Sequence, residues 1–427
     1  MTPGAGEAAR PVLAMVESNT TGTGRSFAVA ARARGLRPVL LSPWPDRYPW
    51  VAEDAVDVAR ADTTDPASVA AVARAAAAVG APLAGIVTSS EYFVAVTARA
   101  AARLGLPGAD PVAVERCRDK RRQRLALRAA GVAVPAFAAA GSPAEAVGAA
   151  AAIGYPVVVK PADGTGSRGV RLCCDPAEVG HHVAGLLAAG HDERGGPTIA
   201  AVLVEEYVIG REVSVETFGT GIVGVTAKHL GRLPSFVECG HDFPVEPGAV
   251  GEVAVAALEA LGLAFGPAHT EIRLGPRGPV VVEVNARLAG GRIPTLVRLA
   301  TGIDLVGATV DAAAGADRPL PELGPGYASI RFLVPSRAGR VRRTGGVAAA
   351  AGVPGVVDVA ITARPGQRVG GTGSFLDRVG HVITAAAGSV AARTGAETAL
   401  ALLELDLDVD DPGPVTRRSA PTPTAVG

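Results

Sequence analysis

Tyr155-Pro156-Val157-Val158-Val159-Lys160-Pro161-Ala162-Asp163-Gly164-Thr165-Gly166-Ser167-Arg168-Gly169-Val170 is the stretch whose reading decides the fold. Its first half is a short β-branched run, the pattern of a buried strand, and it ends in a lysine. Its second half places three glycines and two hydroxyls before another strand pattern, which describes a flexible hairpin loop. Glycines let backbone N–H groups approach phosphate oxygens closely, and the hydroxyls of Thr165 and Ser167 add donors. No Gly-Lys-Ser/Thr closes the loop and no helix follows directly, so it is not a Walker A loop. A loop of this kind alone is a hairpin turn. With Lys160 immediately before it, it reads as a phosphate cradle.

Upstream, Asp110-Pro111 opens a helix that carries the basic stretch Arg116 to Arg128 and stops at Gly131, before Val134-Pro135. Such a stretch is ordinarily a solvated helix face. Lys120 is the exception. Only three of the 41 basic residues are lysines, at positions 120, 160 and 228. Lysine is a compact point charge, and arginine does not replace it where a phosphate must be met in a tight pocket.

Further upstream, strand and helix patterns alternate over the first 110 residues. Pro11 to Val16 is a short apolar run. The loop Thr20-Thr21-Gly22-Thr23-Gly24 leads into an Ala-rich helix through Arg34, stopped at Gly35. Arg37 to Leu41 and Ala84 to Thr88 are further strands. This alternation predicts a parallel sheet covered on both faces, with ligands outside the carboxyl ends of its strands. Glu17 to Gly24 and Thr88 to Glu91 fall there. Gly22-Thr23-Gly24 is a poor dinucleotide fingerprint: the third glycine is missing, and apolar Leu40-Leu41 stands where the acidic residue should be.

Downstream, Ala200 to Val204 reads as a strand that runs into Glu205-Glu206-Tyr207-Val208. Such a linker can offer backbone groups to an adenine edge, and Glu212 beyond it can bind ribose hydroxyls. Thr270-Glu271-Ile272-Arg273 and Val280-Val281-Val282-Glu283-Val284-Asn285 both alternate as strands around a turn at Gly275 to Gly278. A tight hairpin puts Glu271 and Glu283 on neighbouring strands. Two inward carboxylates repel unless a cation lies between them, and with the Asn285 amide oxygen they suit Mg²⁺ shared with ATP phosphates. Arg287 follows, then Leu288-Ala289-Gly290-Gly291-Arg292-Ile293-Pro294. A cation there could bind a substrate carboxylate or stabilise an oxyanion.

Composition narrows the class. The chain has 427 residues, 48% hydrophobic and 19% charged, enough for two to four domains and a large core. Basic and acidic residues balance at 41 each, so net charge gives no reason to bind nucleic acid or an anionic membrane. Met1 to Arg10 has no apolar stretch, and Val69 to Ile86 is broken by Arg74, Gly80 and Pro82, so neither a secretory signal nor a membrane span is expected. Cys117, Cys173, Cys174 and Cys239 form no CxxC pair, which fits a reducing cytoplasm.

In this order the pieces resemble the ATP-grasp superfamily of carboxylate–amine ligases, over roughly residues 11 to 415. Within it the chain is most similar to the L-amino acid ligases, through Thr226-Ala227-Lys228-His229-Leu230, Pro234-Ser235-Phe236-Val237-Glu238-Cys239-Gly240-His241 and the run Val282 to Ile293. The resemblance implies an α/β fold in five parts. These are an N-terminal open parallel-sheet domain (1–112), a mobile lid with the glycine-rich loop (113–204), an antiparallel-sheet catalytic domain (205–325), a C-terminal extension (326–412) and a Pro/Thr-rich disordered tail (413–427). Gly370-Gly371-Thr372-Gly373 is expected to be a turn of the extension rather than a second phosphate loop.

The resemblance also implies roles. Lys120 and Lys160 would contact phosphate, with Gly164, Thr165, Gly166 and Ser167 above them. Glu205, Tyr207, Val208 and Glu212 would hold the nucleoside, and Glu271, Glu283 and Asn285 would hold Mg²⁺, with Mn²⁺ as a substitute. Lys228, Glu238, His241, Arg287, Gly290, Gly291 and Glu91 would line the amino-acid pocket. The reaction would run through an acyl phosphate, with Arg287 and Lys160 stabilising charge and His241 or Glu238 as candidates for handling the amine. Cys239 is expected to pack rather than attack. Substrates would be small amino or carboxylic acids, and related enzymes are commonly homodimers. Two rivals stand beside this reading: another ATP-grasp reaction, such as a bicarbonate-using carboxylase or a purine-pathway ligase, and an ATP-binding module without chemistry. A metal site at His229 and His241 is a further, weaker alternative, since one hairpin does not bring them together with carboxylates.

Overall fold

The structure, a computed structural model, describes residues 10–19, 23–77, 81–191, 194–196, 198–316 and 318–409. The expected loop residues Thr20 to Gly22, the end of the extension from Asp410 and the Pro/Thr-rich tail lie outside these.

The N-terminal strands Val12–Val16, Arg37–Leu41 and Leu83–Val87 pair in parallel, with Val12–Val16 in the middle. Side chains alternate across a strand, so Leu13 and Met15 enter one core while Val12, Ala14 and Val16 enter another. Helices Pro66–Ala77 and Val94–Leu104 cover the second face. Thr23–Ala33 covers the first together with Leu305–Ala313, a helix from much later in the chain. A fourth parallel strand, Asp57–Ala59, adds to the edge beside Arg37–Leu41. The sequence reading missed it because it has only three residues, none of them buried.

The helix expected from Asp110 to Gly131 is two helices, Pro111–Arg118 and Lys120–Ala129. Asp119 stands between them in an extended conformation, and its carboxylate accepts from the N–H groups of Arg121 and Arg122. A side chain that caps its own neighbours competes with helix continuation, which ends the first helix and starts the second. The break turns Lys120 inward, where its N–H bonds the carbonyl of Ala162 at 2.9 Å.

Strands Phe137–Ala140, Val202–Glu206, Val157–Pro161 and Arg171–Cys173 form an antiparallel sheet in that order, with helices Pro143–Ile153 and Pro176–Ala189 over one face. The larger sheet has eight strands, in the order Gly278–Asn285, Pro267–Gly275, Arg211–Phe218, Gly221–Leu230, Glu238–Val245, Tyr327–Leu333, Gly380–Ala386 and Val356–Ile361. It runs without a break across position 325, so three strands of the extension are hydrogen-bonded into the same sheet as the catalytic strands. A small sheet of Arg368–Val369, Gly339–Gly345 and Glu404–Val409 completes the extension. Among the described residues no single helix is long and apolar enough to cross a membrane. The one bent pair of that composition, Ile293–Thr301 and Leu305–Ala313, packs into the largest core.

Candidate functional site

A cavity of about 1660 Å³ opens where the three larger sheets meet. Most of the residues expected at the site line it; Lys120, Gly164 and His241 do not.

Lys160 reaches the cavity by strand alternation: Val157 and Val159 enter the core of their sheet, so Val158 and Lys160 face the other way. Its ammonium meets Glu205 Oε2 at 2.6 Å, while Glu205 Oε1 accepts from Arg124 Nε at 2.7 Å. Burial pushes the Lys160 pKa down, against the pull of Glu205. Burial would raise Glu205, but Arg124 and Lys160 hold it below the ordinary carboxylate value. Glu205, read in sequence as a nucleoside contact, lines the cavity and is also a shared counter-ion for two cations. Arg124 is fully buried, and its neighbour Gln123 is bonded to the backbone of Val284 at 2.8 and 3.0 Å. Both hid in a basic stretch that read as a solvated face. The only sequence signal for them was a buried-strand glutamate without a partner.

The linker after Glu205 does line the cavity. The Tyr207 ring lies 6.2 Å from Phe236, and the Arg273 guanidinium sits 5.4 and 5.5 Å from the two rings. Arg273 also donates to the Val208 carbonyl at 3.1 Å and to Glu212 at 3.0 Å. The glycine loop is pinned down. Ser167 Oγ donates to the Phe236 carbonyl at 2.9 Å, and Lys120 Nζ to the Gly164 carbonyl at 2.5 Å. Lys120 also lies 3.2 Å from Glu283, which does line the cavity.

Glu271 and Glu283 are directly opposed in the hairpin, and His269 opposes Asn285 on the same face. All four line the cavity. Glu271 accepts from Lys228 Nζ at 2.7 Å and lies 3.2 Å from His269 Nε2. His269 Nδ1 lies 3.0 Å from the buried Glu216. Burial opposes the imidazolium, yet Glu216 and Glu271 raise His269 to about 9. Glu271 is held well below its ordinary value against burial, chiefly by Lys228. Among the described residues no three His, Cys, Asp or Glu side chains are grouped to hold a metal. The set here is two carboxylates and an amide oxygen on one sheet face, hard donors that fit Mg²⁺. His269 and Glu216 escaped the sequence reading because their partners are set by cross-strand register.

Lys228 Nζ lies within 3.0 Å of three carboxylates, Glu212, Glu238 and Glu271. Burial opposes its charge, but these three raise its pKa well above the ordinary value. Glu238 is further paired with Arg378, from the extension. His241 is fully buried, edge-on to Phe332 at 5.5 Å, with Nε2 3.4 Å from Glu238 and no hydrogen bond at either ring nitrogen. Burial lowers its pKa, so the ring is neutral. Gly291 separates it from the cavity: with φ +58, a Cβ there would stand 2.5 Å from His241 Nε2. His229 bonds Asp242 at 2.7 Å and is not brought together with His241. The Cys239 thiol donates to the His229 carbonyl at 3.3 Å, and burial raises its pKa, the state of a packed rather than attacking thiol.

Arg287 pairs with Glu91 from the N-terminal part, and Arg118 donates to the other oxygen of Glu91 at 2.8 Å. Burial would raise Glu91, but the two guanidiniums bring it to about 2. Gly290 and Gly291 line the cavity beside Arg287.

Comparison with known proteins agrees with this layout. An ATP-grasp N-terminal domain matches residues 28–108, an ATP-grasp domain 153–295, and an L-amino acid ligase C-terminal domain 2 residues 331–408. The chain is 37% identical over 383 residues to the uncharacterized protein y4rH of Sinorhizobium fredii, covering 88% of this chain and 79% of that one. It is 30% identical over 187 residues to carnosine synthase 1 of Gallus gallus, covering 40% of this chain and 20% of that protein. The fold is that of an L-amino acid ligase from Bacillus licheniformis, with TM-score 0.76 at 22% identity over 93% of this chain and 99% of that one. The chain therefore belongs to the ATP-grasp ligases, which use ATP to form carbon–nitrogen bonds, and within them it carries the C-terminal domain of the L-amino acid ligases.

Proposed function

We propose that this ligase joins the carboxyl group of an L-amino acid, or of another small carboxylic acid, to the amine of an amino acid through an acyl phosphate, releasing ADP and phosphate. The observation that carries this reading is a charge imbalance in two ion clusters that reach one cavity through Lys160 and Arg287. Lys160 and Arg124 share the single carboxylate Glu205, and Arg287 and Arg118 share the single carboxylate Glu91. Each cluster keeps one positive charge over, so the cavity is built for two anions. The first lies beside the glycine loop and suits a triphosphate; the second lies beside Gly290 and suits a carboxylate.

In this reading residues 113–204 form the lid and 205–325 the catalytic domain, with 1–112 and 326–412 closing the pocket. Lys160 and the N–H groups of Thr165 to Ser167 hold the phosphates. Tyr207, Val208 and Glu212 hold the nucleoside. Mg²⁺ or Mn²⁺ bound by Glu271, Glu283 and Asn285 would neutralise charge on the triphosphate oxygens. Arg287 orients the acid so that its oxygen attacks the γ-phosphorus while the bond to the β-phosphate oxygen breaks. The amine then attacks the acyl carbon, Arg287 and the backbone at Gly290 and Gly291 face the oxyanion, and phosphate leaves. Glu238, kept ionised by Lys228 and Arg378 against burial, is an acceptor for the substrate ammonium. His241 packs behind Glu238 without a hydrogen bond to it, and Lys228 holds Glu212, Glu238 and Glu271 at fixed spacing.

The test is a phosphate-release screen with ATP, Mg²⁺ and pairs of amino acids, with products separated by mass. The expected product has the mass of both substrates less water, with ADP. AMP and pyrophosphate would overturn the acyl-phosphate step. Phosphate release driven by bicarbonate without an amine would point to a carboxylase instead, and nucleotide binding without turnover on any pair to a module without chemistry.

A further inference from the structure

The segment Gly370 to Arg378 of the extension is wired as a rigid unit. Gly370, Gly371 and Gly373 have φ of 80°, 80° and 64°, which L side chains rarely adopt. The carboxylate of Asp377, 5% exposed, accepts from Thr372 N at 3.1 Å, Thr372 Oγ1 at 2.8 Å and Gly373 N at 2.8 Å. This unit touches the cavity machinery at two points. Phe375 N donates to the Gly166 carbonyl at 3.2 Å, and its ring lies so close that a Cβ on Gly166 would stand 2.4 Å from Phe375 Cδ1. Three residues on, the Arg378 guanidinium rests 4.4 Å above the Phe332 ring. Both polar partners of Arg378 are on one residue. Nε donates to the Glu238 carbonyl at 3.0 Å, and Nη2 to the Glu238 carboxylate.

Glu238 has no other fixed donor on that side. Its Oε1 is held by Lys228 at 2.7 Å, but Lys228 is shared with Glu212 and Glu271. His241 is too far and poorly aligned to hold Oε2. Arg378 alone grips backbone and side chain of Glu238 at once, which fixes the carboxylate plane. Lysine could replace the charge but not the rigid planar fork that fixes the two acceptors relative to each other.

We propose that Arg378 is the positioning residue of the amine pocket: it sets Glu238 for the second substrate, and through Phe375 the same rigid segment registers that pocket against the glycine loop. This rests on the reading of Glu238 as an amine-side acceptor. In the first half-reaction Arg378 has no part, so acid activation proceeds without it. In the second, an amine nitrogen forms its bond to the acyl carbon as the acyl–phosphate C–O bond breaks, and only this step needs Glu238 in place.

The experiment compares wild type, R378A, R378K and F375A on a substrate pair found by the screen. Hydroxylamine serves as a small amine that bypasses the pocket, converting the acyl phosphate to a hydroxamate with release of phosphate. Loss of a charge-assisted hydrogen bond is expected to raise the amine-substrate KM of R378A roughly 10- to 100-fold. Its ATP KM and its hydroxamate rate should stay within about 2-fold of wild type, a difference too small for a lost hydrogen bond. R378K should fold and remain impaired in amine KM, and F375A should raise the ATP and amine KM values together. Equal loss of hydroxamate and amide by R378A and R378K, with a lowered melting midpoint, would reduce Arg378 to a structural part. A wild-type amine KM in R378K would mean that charge alone suffices. Wild-type protein without amino-acid-dependent phosphate release removes the functional reading and this proposal together. Normal wild-type turnover with an unchanged amine KM in R378A removes this proposal only.

Discussion

Substituting Glu205→Gln isolates the first of the two cation clusters. The carboxylate is 2% exposed and lies 2.7 Å from Arg124 Nε and 2.6 Å from Lys160 Nζ. Glutamine keeps the shape but presents an N–H₂ donor to one of two cations. Removing one partner of a buried ion pair typically costs about 3–5 kcal/mol, because the remaining charge stays buried. With a urea slope of about 3 kcal/mol/M, the unfolding midpoint should fall by roughly 1–1.7 M. The pH dependence carries a sign. Lys160 already titrates below the ordinary lysine value of 10.5, and Glu205, ahead of Glu283, is the main group that opposes this fall. Without Glu205 the folded pKa drops further. A lysine with a depressed folded pKa destabilises the fold while it is charged, and that penalty lifts as pH rises from the folded value toward 10.5. The stability gap between E205Q and wild type should therefore narrow from pH 7 to pH 9.5. It should also narrow when a non-hydrolysable ATP analogue supplies the missing negative charge. Urea titrations followed by circular dichroism at three pH values test this. A gap below about 1 kcal/mol at pH 7, the worth of an exposed pair, or one that widens with pH, would refute the argument that Glu205 is the counter-ion of a buried cation pair.

Three other substitutions probe separate parts of the cavity. E283Q should abolish turnover by weakening Mg²⁺–ATP binding; near-normal activity, or an ATP affinity equally dependent on Mg²⁺, would remove the metal assignment. R287A should bind ATP with near-wild-type affinity in calorimetry yet form amide at least about 100-fold more slowly, the scale for losing one oxyanion donor; product at the wild-type rate would exclude the role. G166A meets a φ of +63 and the Phe375 ring, whereas G105A meets a φ of +66 with nothing within 4 Å. Both should lose about 1–2 kcal/mol of local stability from backbone strain, but only G166A should raise the ATP KM, and equal KM values would show that the loop does not dock on Phe375.

The parts legible in sequence were those whose geometry is local. The short turn at Gly275 to Gly278 put Glu271 and Glu283 on neighbouring strands, as spacing predicts, but their direct opposition needs the register shift between Glu271 and Ile272, which spacing does not show. Strand alternation from Val157 placed Lys160. What could not be read depends on contacts between distant segments. Arg124 and Gln123 sit in a run that looks solvated until strands Val202–Glu206 and Gly278–Asn285 are folded over it. Lys228 was placed near the substrate region, but its three carboxylates come from three different strands. Lys120 stood out by its rarity, but the helix break at Asp119 that turns it toward the Gly164 carbonyl looks like any other aspartate in the sequence. Arg378 lies 140 residues from the glutamate it grips.

The eight-stranded sheet has a consequence for how this enzyme can change. Glu238–Val245, the strand that begins at the pocket glutamate, is bonded on one side to Gly221–Leu230 and on the other to Tyr327–Leu333. Cutting the chain near position 325 would bare the backbone of Gly240 to Phe243, an open edge ready to pair with another molecule. The extension is therefore no detachable module that recombination could trade between ligases with different preferences. Its strands and the pocket must be inherited as one piece, and altered substrate choice must come from point changes within it.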